Sequence, residues 1–195
     1  MRKRFWLVSI TLLVLAASPL AHPVQQQPAS RPRAAAPAAA ANAFNPKATV
    51  KDVMDYIVIP TSEFVFNSVG SVQGPNGTED KAPRTDADWA EVRKYAVMLA
   101  EGGNLLMVPG RHAAGPKDKS NNPGSELEPA QIDALLAKNR AGFVKAAQGL
   151  VSATELALKA IDGHNVEGLS DAGGEIDAAC EACHLTFWYP NEAKN

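Results

Sequence analysis

The chain contains two cysteines, and both lie in one short segment, Cys180-Glu-Ala-Cys183-His184. The spacing Cys-x-x-Cys-His is the attachment signature of a c-type haem. Two thiols three residues apart on a helical turn can both reach the vinyl groups of one porphyrin edge, and the next residue places an imidazole under the iron. All three side chains share one helix face. The segment therefore predicts one covalently bound haem c, with His184 as the proximal iron ligand.

Two other kinds of site also use closely spaced cysteines. A zinc site requires two further good ligands, and the histidines left in the C-terminal three quarters of the chain are His112 and His164. A thioredoxin-like redox pair belongs in a βαβ unit, of which the sequence has no pattern. Both alternatives are therefore weaker than haem attachment.

The composition is that of a globular protein. Of 195 residues, 46% are apolar and 21% are charged, and two cysteines cannot form the framework of a disulfide-rich scaffold. Without Arg2, Lys3 and Arg4, 16 basic residues stand against 21 acidic residues. This balance disfavours a nucleic-acid partner and favours protein partners with basic docking patches.

The N-terminal region predicts export. Residues 1–21 have a basic start and an apolar run of about 13 residues, which suits a signal peptide and is shorter than the roughly 20 residues of a membrane span. Pro19 departs from the usual small-x-small pattern before Ala21, so an uncleaved leader acting as a membrane tether stays open. Residues 22–46 are rich in Pro and Ala and predict a disordered linker. Residues 47–195 then form one domain.

Four amphipathic segments predict helices in this domain. Helix A begins at the capping box Thr49-Val-Lys-Asp52 and runs to Gly70, with a kink or local break near residues 56–60 because Pro60 removes a hydrogen-bond donor. Helix B begins at the box Thr85-Asp-Ala-Asp88 and ends before Pro109-Gly110.

Helix C runs from Pro129 to Asp162-Gly163, and helix D carries an apolar face from Leu169 to Phe187. The loop between B and C, residues 111–128, is longer than packing requires and is either functional or mobile. No alternating strand-like run is present. The pattern therefore predicts an all-α fold, an antiparallel up-down-up-down four-helix bundle.

An exported helical domain with Cys-x-x-Cys-His near the end of its fourth helix resembles the class II c-type cytochromes, the cytochrome c prime family. The resemblance implies one haem per chain, a periplasmic location, up-down-up-down topology and often a homodimer. One position departs from the family. Members commonly carry an aromatic and then a basic residue after the motif, and Phe187 matches the first whereas Trp188 occupies the basic position. This departure weakens any implied gas sensing.

The residue on the distal side of the iron decides the function. In an antiparallel bundle, the end of D lies beside the start of A and the end of B, which makes Met54, Met107 and His112 candidate ligands. Met98 and His164 lie too far along their helices. The resemblance places the distal residue early in helix A, which favours Met54. A shift of register would bring Ile57 over the iron instead and leave the distal position open.

A thioether ligand raises the reduction potential and closes the site to other ligands. With Met54 bound, the protein is expected to be an electron carrier rather than an enzyme, exchanging electrons with periplasmic redox partner proteins. With an open position, it would bind small gases such as NO or CO. A third possibility is a structural haem in an interaction module.

Three features near the predicted site have two interpretations each. Arg111 either pairs with a haem propionate or is an ordinary exposed loop residue. Trp188 and Tyr189 either pack on the haem edge or cap the end of the bundle. Gly102-Gly103 permits close approach of a neighbouring helix or of the porphyrin.

Overall fold

The computed structural model describes residues 44–75 and 77–192. The predicted signal peptide, residues 1–21, and nearly all of the predicted linker, residues 22–46, lie outside the described residues. The elements, in chain order, are α1 (Val50–Val53), a π-helical turn (Met54–Val58), α2 (Ile59–Phe66), β1 (Gly70–Gly74), β2 (Gly77–Lys81), α3 (Asp86–Leu106), α4 (Pro129–Lys138), α5 (Arg140–Asp162) and α6 (Val166–Phe187).

The apolar faces of the long helices meet in one core. Helix α5 packs against both α3 and α6, and α2 packs against α3. The largest fully buried side chains are aliphatic and come from α3, α4, α5 and α6: Leu99, Ile132, Ile161, Leu169 and Ile176. The three-and-four spacing of apolar residues along an amphipathic helix places such side chains on its inner side.

Both predicted capping boxes are confirmed. The Thr85 hydroxyl accepts a hydrogen bond from the Asp88 amide at 3.1 Å, and the Asp88 carboxylate accepts one from the Thr85 amide at 2.8 Å. Thr49 and Asp52 make the same reciprocal pair at the start of α1. Main-chain amides that donate to these carboxylates hold the pKa of each aspartate below its ordinary value, the amides of Arg84 and Thr85 for Asp88 and the Thr49 amide for Asp52. The capping bonds satisfy amides that a helix start otherwise leaves without partners.

The prediction of an all-α, antiparallel up-down-up-down four-helix bundle is wrong. The described chain is mostly helical, but it contains a two-stranded antiparallel sheet, and a four-helix bundle is not clearly shown. Strands β1 and β2 pair from Gly70 with Lys81 to Gly74 with Gly77. Both strands are exposed along their length, so neither has a buried face that would produce an alternating apolar pattern.

Two of the predicted helices are divided. The local break predicted in helix A is present as the π-helical turn that precedes Pro60. Predicted helix C is two helices, because Asn139 leaves the helical region with φ −129° and ψ 51°. Its side chain accepts a hydrogen bond from the Gly142 amide at 3.1 Å and so caps the start of α5.

None of the helices in residues 44–192 is both long enough and apolar enough to cross a membrane. The apolar run of residues 5–17, on which the possible membrane tether depends, lies outside the described residues.

Candidate haem-binding cavity

A cavity of about 210 Å³ lies beside the last turns of α6. Its walls come from α1 and the π-helical turn, the end of α3, the segment before α4, helices α4 and α5, and the end of α6. The lining is mainly apolar and includes Val50, Met54, Ile59, Leu106, Leu127, Ile132, Leu136, Phe143, Phe187 and Trp188. Such walls exclude water from whatever the cavity binds.

The Cys-x-x-Cys-His segment lies entirely within α6. Cys183 and His184 line the cavity, and Cys180, one turn earlier, packs against the core as a half-buried side chain. Both cysteines are free thiols. The helix ends just after the motif, where the main-chain amides of Trp188 and Tyr189 both donate to the His184 carbonyl, at 2.8 and 2.9 Å.

Burial determines the protonation of these groups. It raises the pKa of the Cys183 thiol to about 11 and also raises the pKa of Cys180, to which the nearby carboxylate of Asp177 adds. Burial lowers the pKa of His184, against the opposing effect of Glu181. Near neutral pH, the site therefore holds two protonated thiols and a neutral imidazole. Redox-active cysteine pairs instead have lowered thiol pKa values, so the raised pKa values of Cys180 and Cys183 do not support a thioredoxin-like redox pair.

Of the candidate distal ligands, the structure brings Met54 into the same cavity as His184. Met107 packs against the core, and His112 is exposed and pairs with Asp133 at 3.2 Å; neither lines this cavity. Ile57 faces α3, where its Cγ2 atom lies 3.2 Å from the position of a β-carbon on Gly102. The register that places Ile57 in the site is therefore not the register of this structure.

The two residues considered too distant for the site lie elsewhere. Met98 is an exposed residue of α3. The ring of His164 stacks on Trp89, with 4.9 Å between centroids, where α3 and α6 begin. Within the described residues, no three His, Cys, Asp or Glu side chains are arranged to hold a metal ion.

The chain after α6 folds back against His184. The Tyr189 hydroxyl donates to the Glu181 carboxylate at 2.7 Å, and the Tyr189 ring lies 5.6 Å from the imidazole, centroid to centroid. Both Trp188 and Tyr189 line the cavity. They therefore contact the space next to His184 as well as covering the end of α6.

Residues 120–127, which we call the cavity loop, form one wall of the cavity. The Glu126 carboxylate accepts hydrogen bonds from the Ser120 hydroxyl at 3.1 Å and from the amides of Asn121 and Asn122 at 3.1 and 3.2 Å. The Leu127 amide donates to the Trp188 carbonyl at 2.9 Å. Residues 120–127 of the predicted loop between helices B and C thus form part of the site. The length of that loop alone did not indicate which of its residues do so.

Arg111 is not the ordinary exposed loop residue that one of its two interpretations expects. Its guanidinium donates to the carbonyls of Leu105 at 2.8 Å and Ala48 at 2.5 Å, and the residue is half-buried. The Leu105 carbonyl also accepts from the Val108 amide at 3.2 Å, so Arg111 adds a second bond at the end of α3 and joins it to the segment before α1. The cations that do line the cavity are Lys51, which pairs with Asp55, and Lys119. Sequence spacing could not reveal which cations line the cavity, since this depends on tertiary contacts.

The donor set fits a c-type haem: two thiols one turn apart, an imidazole on the same helix and a thioether across an apolar space. The cavity volume is below the 300–1,000 Å³ of most ligand pockets. A group as large as a porphyrin therefore requires more space than this cavity has, or leaves one edge in solvent.

Comparison of the chain with protein-family models, with curated proteins and with solved structures gives no match.

Proposed function

We propose that the protein is a monohaem c-type cytochrome that carries single electrons by outer-sphere exchange. Cys180 and Cys183 hold the haem covalently, His184 is the proximal ligand and Met54 the distal one. The observation that carries this proposal is that Met54 lines the cavity that Cys183 and His184 also line. A haem held there supplies a one-electron couple between ferric and ferrous iron.

Each residue has a separate task in this proposal. The thiols keep the haem attached independently of its oxidation state. The neutral imidazole of His184 offers a free nitrogen to a metal. The Met54 thioether favours the reduced state and prevents other ligands from binding. The apolar walls hold this set in a region of low polarity, which keeps the ligands in place during electron exchange.

The location and the partner follow from the sequence and stay part of the proposal. The basic and apolar start of the chain supports export, and haem attachment to such a motif fits a periplasmic protein. The excess of acidic residues supports a redox partner protein with a basic docking patch. The Cys-x-x-Cys-His motif and the cavity give no indication of bond-making chemistry, so we assign the chain as an electron carrier rather than an enzyme.

The first test is the absorption spectrum of the protein matured in an export-competent host, oxidised and reduced, with and without carbon monoxide. We expect a low-spin spectrum with an iron–methionine charge-transfer band that carbon monoxide does not change. A high-spin spectrum that responds to carbon monoxide would make the protein a gas-binding haem protein. A preparation without covalent haem would overturn both functions.

Two methionines provide a matched pair of variants. Met54→Leu keeps the size and apolar character of the side chain but removes the sulfur, so the charge-transfer band should disappear, the midpoint potential should fall and carbon monoxide should bind. Met98→Leu makes the same change at an exposed position outside the cavity and should alter none of these. Equal effects of the two substitutions would contradict the assignment of Met54.

A further inference from the structure

The turn that contains Met54 departs from α-helical geometry. The Ile59 amide donates to the Met54 carbonyl, five residues earlier, where an α-helix would use the residue four earlier. In an α-helix, residues five apart are rotated by about 140° and lie on different faces. The π-helical bond instead stacks Ile59 one turn above Met54, and both residues line the cavity.

The residues between them face a different neighbour. A β-carbon on Gly102 of α3 would lie 3.0 Å from Val58 and 3.2 Å from Ile57, so these two side chains are directed at α3. In an uninterrupted α-helix, Ile57 and Val58 would lie within about 60° of Met54, on one common stripe. The π-helical turn therefore divides one apolar stripe into a face toward α3 and a face toward the cavity.

Two neighbouring residues stabilise this irregular turn. Pro60 has no amide hydrogen, and its ring clashes with the Tyr56 carbonyl in regular α-helical geometry. Thr61 is 1% exposed, and its hydroxyl donates to the carbonyls of Ile57 at 2.6 Å and Val58 at 3.1 Å, both within the turn. The start of α1 is fixed separately, because the Val50 amide donates to the His112 carbonyl at 2.8 Å.

We infer that Pro60 is a positioning residue for Met54: by imposing the π-helical turn, it directs the Met54 thioether into the cavity and away from α3. This inference rests on the proposed function, since it gives the turn a role only where Met54 is an iron ligand. It assigns to a residue outside the cavity a measurable effect on the sixth coordination position.

The test uses the holoprotein and two variants of one turn. Pro60→Ala restores an amide donor and removes the ring, so the α-helical ladder can continue and carry Met54 toward α3. The charge-transfer band should weaken or vanish, the midpoint potential should fall and carbon monoxide should bind. The second variant combines Pro60→Ala with deletion of Tyr56, a residue 74% exposed. It places Met54 four residues before Ile59, one α-helical turn apart, and should restore the band.

A merely structural role for Pro60 would not produce this rescue. Pro116→Ala, at an exposed proline that does not line the cavity, is the control and should match the wild type. A Pro60→Ala protein with the wild-type band, potential and carbon monoxide response would overturn the inference. If Pro60→Ala fails to fold, the deletion variant decides alone, and a haem-loaded, helical form of it without the band overturns the inference. Absence of the band from the wild type would instead refute the Met54 assignment itself.

Discussion

Cys180 and Cys183 belong to one motif but have different surroundings. Cys183 lines the cavity, and its burial raises the pKa of its thiol to about 11, whereas Cys180 lies outside the lining near the carboxylates of Asp177 and Glu181. In the proposed function, both thiols would hold the haem covalently, with Cys183 as the attachment next to His184 and Cys180 as the attachment one turn earlier.

This difference predicts unequal effects of removing each sulfur. Cys183→Ser should reduce the yield of haem-loaded protein several-fold more than Cys180→Ser, because it removes the attachment nearest the proximal ligand. The yield and the number of thioether bonds are measured from the pyridine haemochrome spectrum and the intact mass. Equal yields from the two variants would show that the cavity does not distinguish the two attachments.

Individual residues also show where sequence reasoning succeeded and where it stopped. The spacing of Cys180, Cys183 and His184 predicts their shared face because a helix fixes the angle between residues three and four apart. The role of Arg111 was inaccessible, because the carbonyls that it bonds, of Ala48 and Leu105, become neighbours only in the folded chain. The spacing of residues along the chain predicts local helix geometry, but it does not predict which residues distant in sequence become bonding partners.

At the scale of elements, the adjacent glycines of α3 serve two neighbouring segments. Gly102 faces the residues before α2, and a β-carbon on Gly103 would lie 2.7 Å from Val151 of α5. The close approach expected at this pair is therefore an approach of neighbouring protein segments on both sides. Gly149 of α5, in contrast, is exposed and has nothing within 4 Å of a β-carbon.

These glycines make a matched pair for a stability measurement. Gly103→Ala should destabilise the protein by about 1–3 kcal/mol, since the branched Val151 side chain and the adjacent main chain must shift. Gly149→Ala should stabilise it by about 0.5–1 kcal/mol. Alanine reduces the backbone freedom of the unfolded chain, and its β-carbon has no neighbour within 4 Å in the folded protein. Urea unfolding followed by circular dichroism measures both. Stabilisation of both variants would mean that α3 and α5 are less closely packed than described.

Sequence reasoning missed two features, the hairpin and the division between α4 and α5, because neither changes the pattern of apolar residues. The hairpin of β1 and β2 is exposed on both faces, so hydrophobic periodicity, which reports burial, carries no signal for it. The Asn-Gly step at residues 76–77 was the available turn signal. The division between α4 and α5 depends on the conformation of Asn139, within a segment whose apolar spacing is otherwise continuous. The capped helix starts, in contrast, were predictable because the capping bonds of the Thr49 and Thr85 side chains join residues only three positions apart.

For the whole molecule, the excess of acidic over basic residues predicts how electron exchange depends on salt. Reduction by a cationic metal complex should slow as ionic strength rises from about 0.01 to 0.15 M, as the screening length falls from roughly 30 to 8 Å. Reduction by an anionic complex of similar potential should accelerate over the same range. Stopped-flow measurement of both rates checks this, and the same salt response for the two reagents would exclude an electrostatic contribution from the protein surface.

The hydrogen bond from the Leu127 amide to the Trp188 carbonyl has a consequence for the order of assembly. It joins the middle of the chain to its last turns, so a chain that emerges N-terminus first completes the cavity only when α6 docks. Docking also buries the Cys183 sulfur. In the proposed function, haem must therefore attach to Cys183 before α6 docks, or the contact between Leu127 and Trp188 must open again for attachment. The time available for haem attachment then ends when residues 120–127 pack against the end of α6.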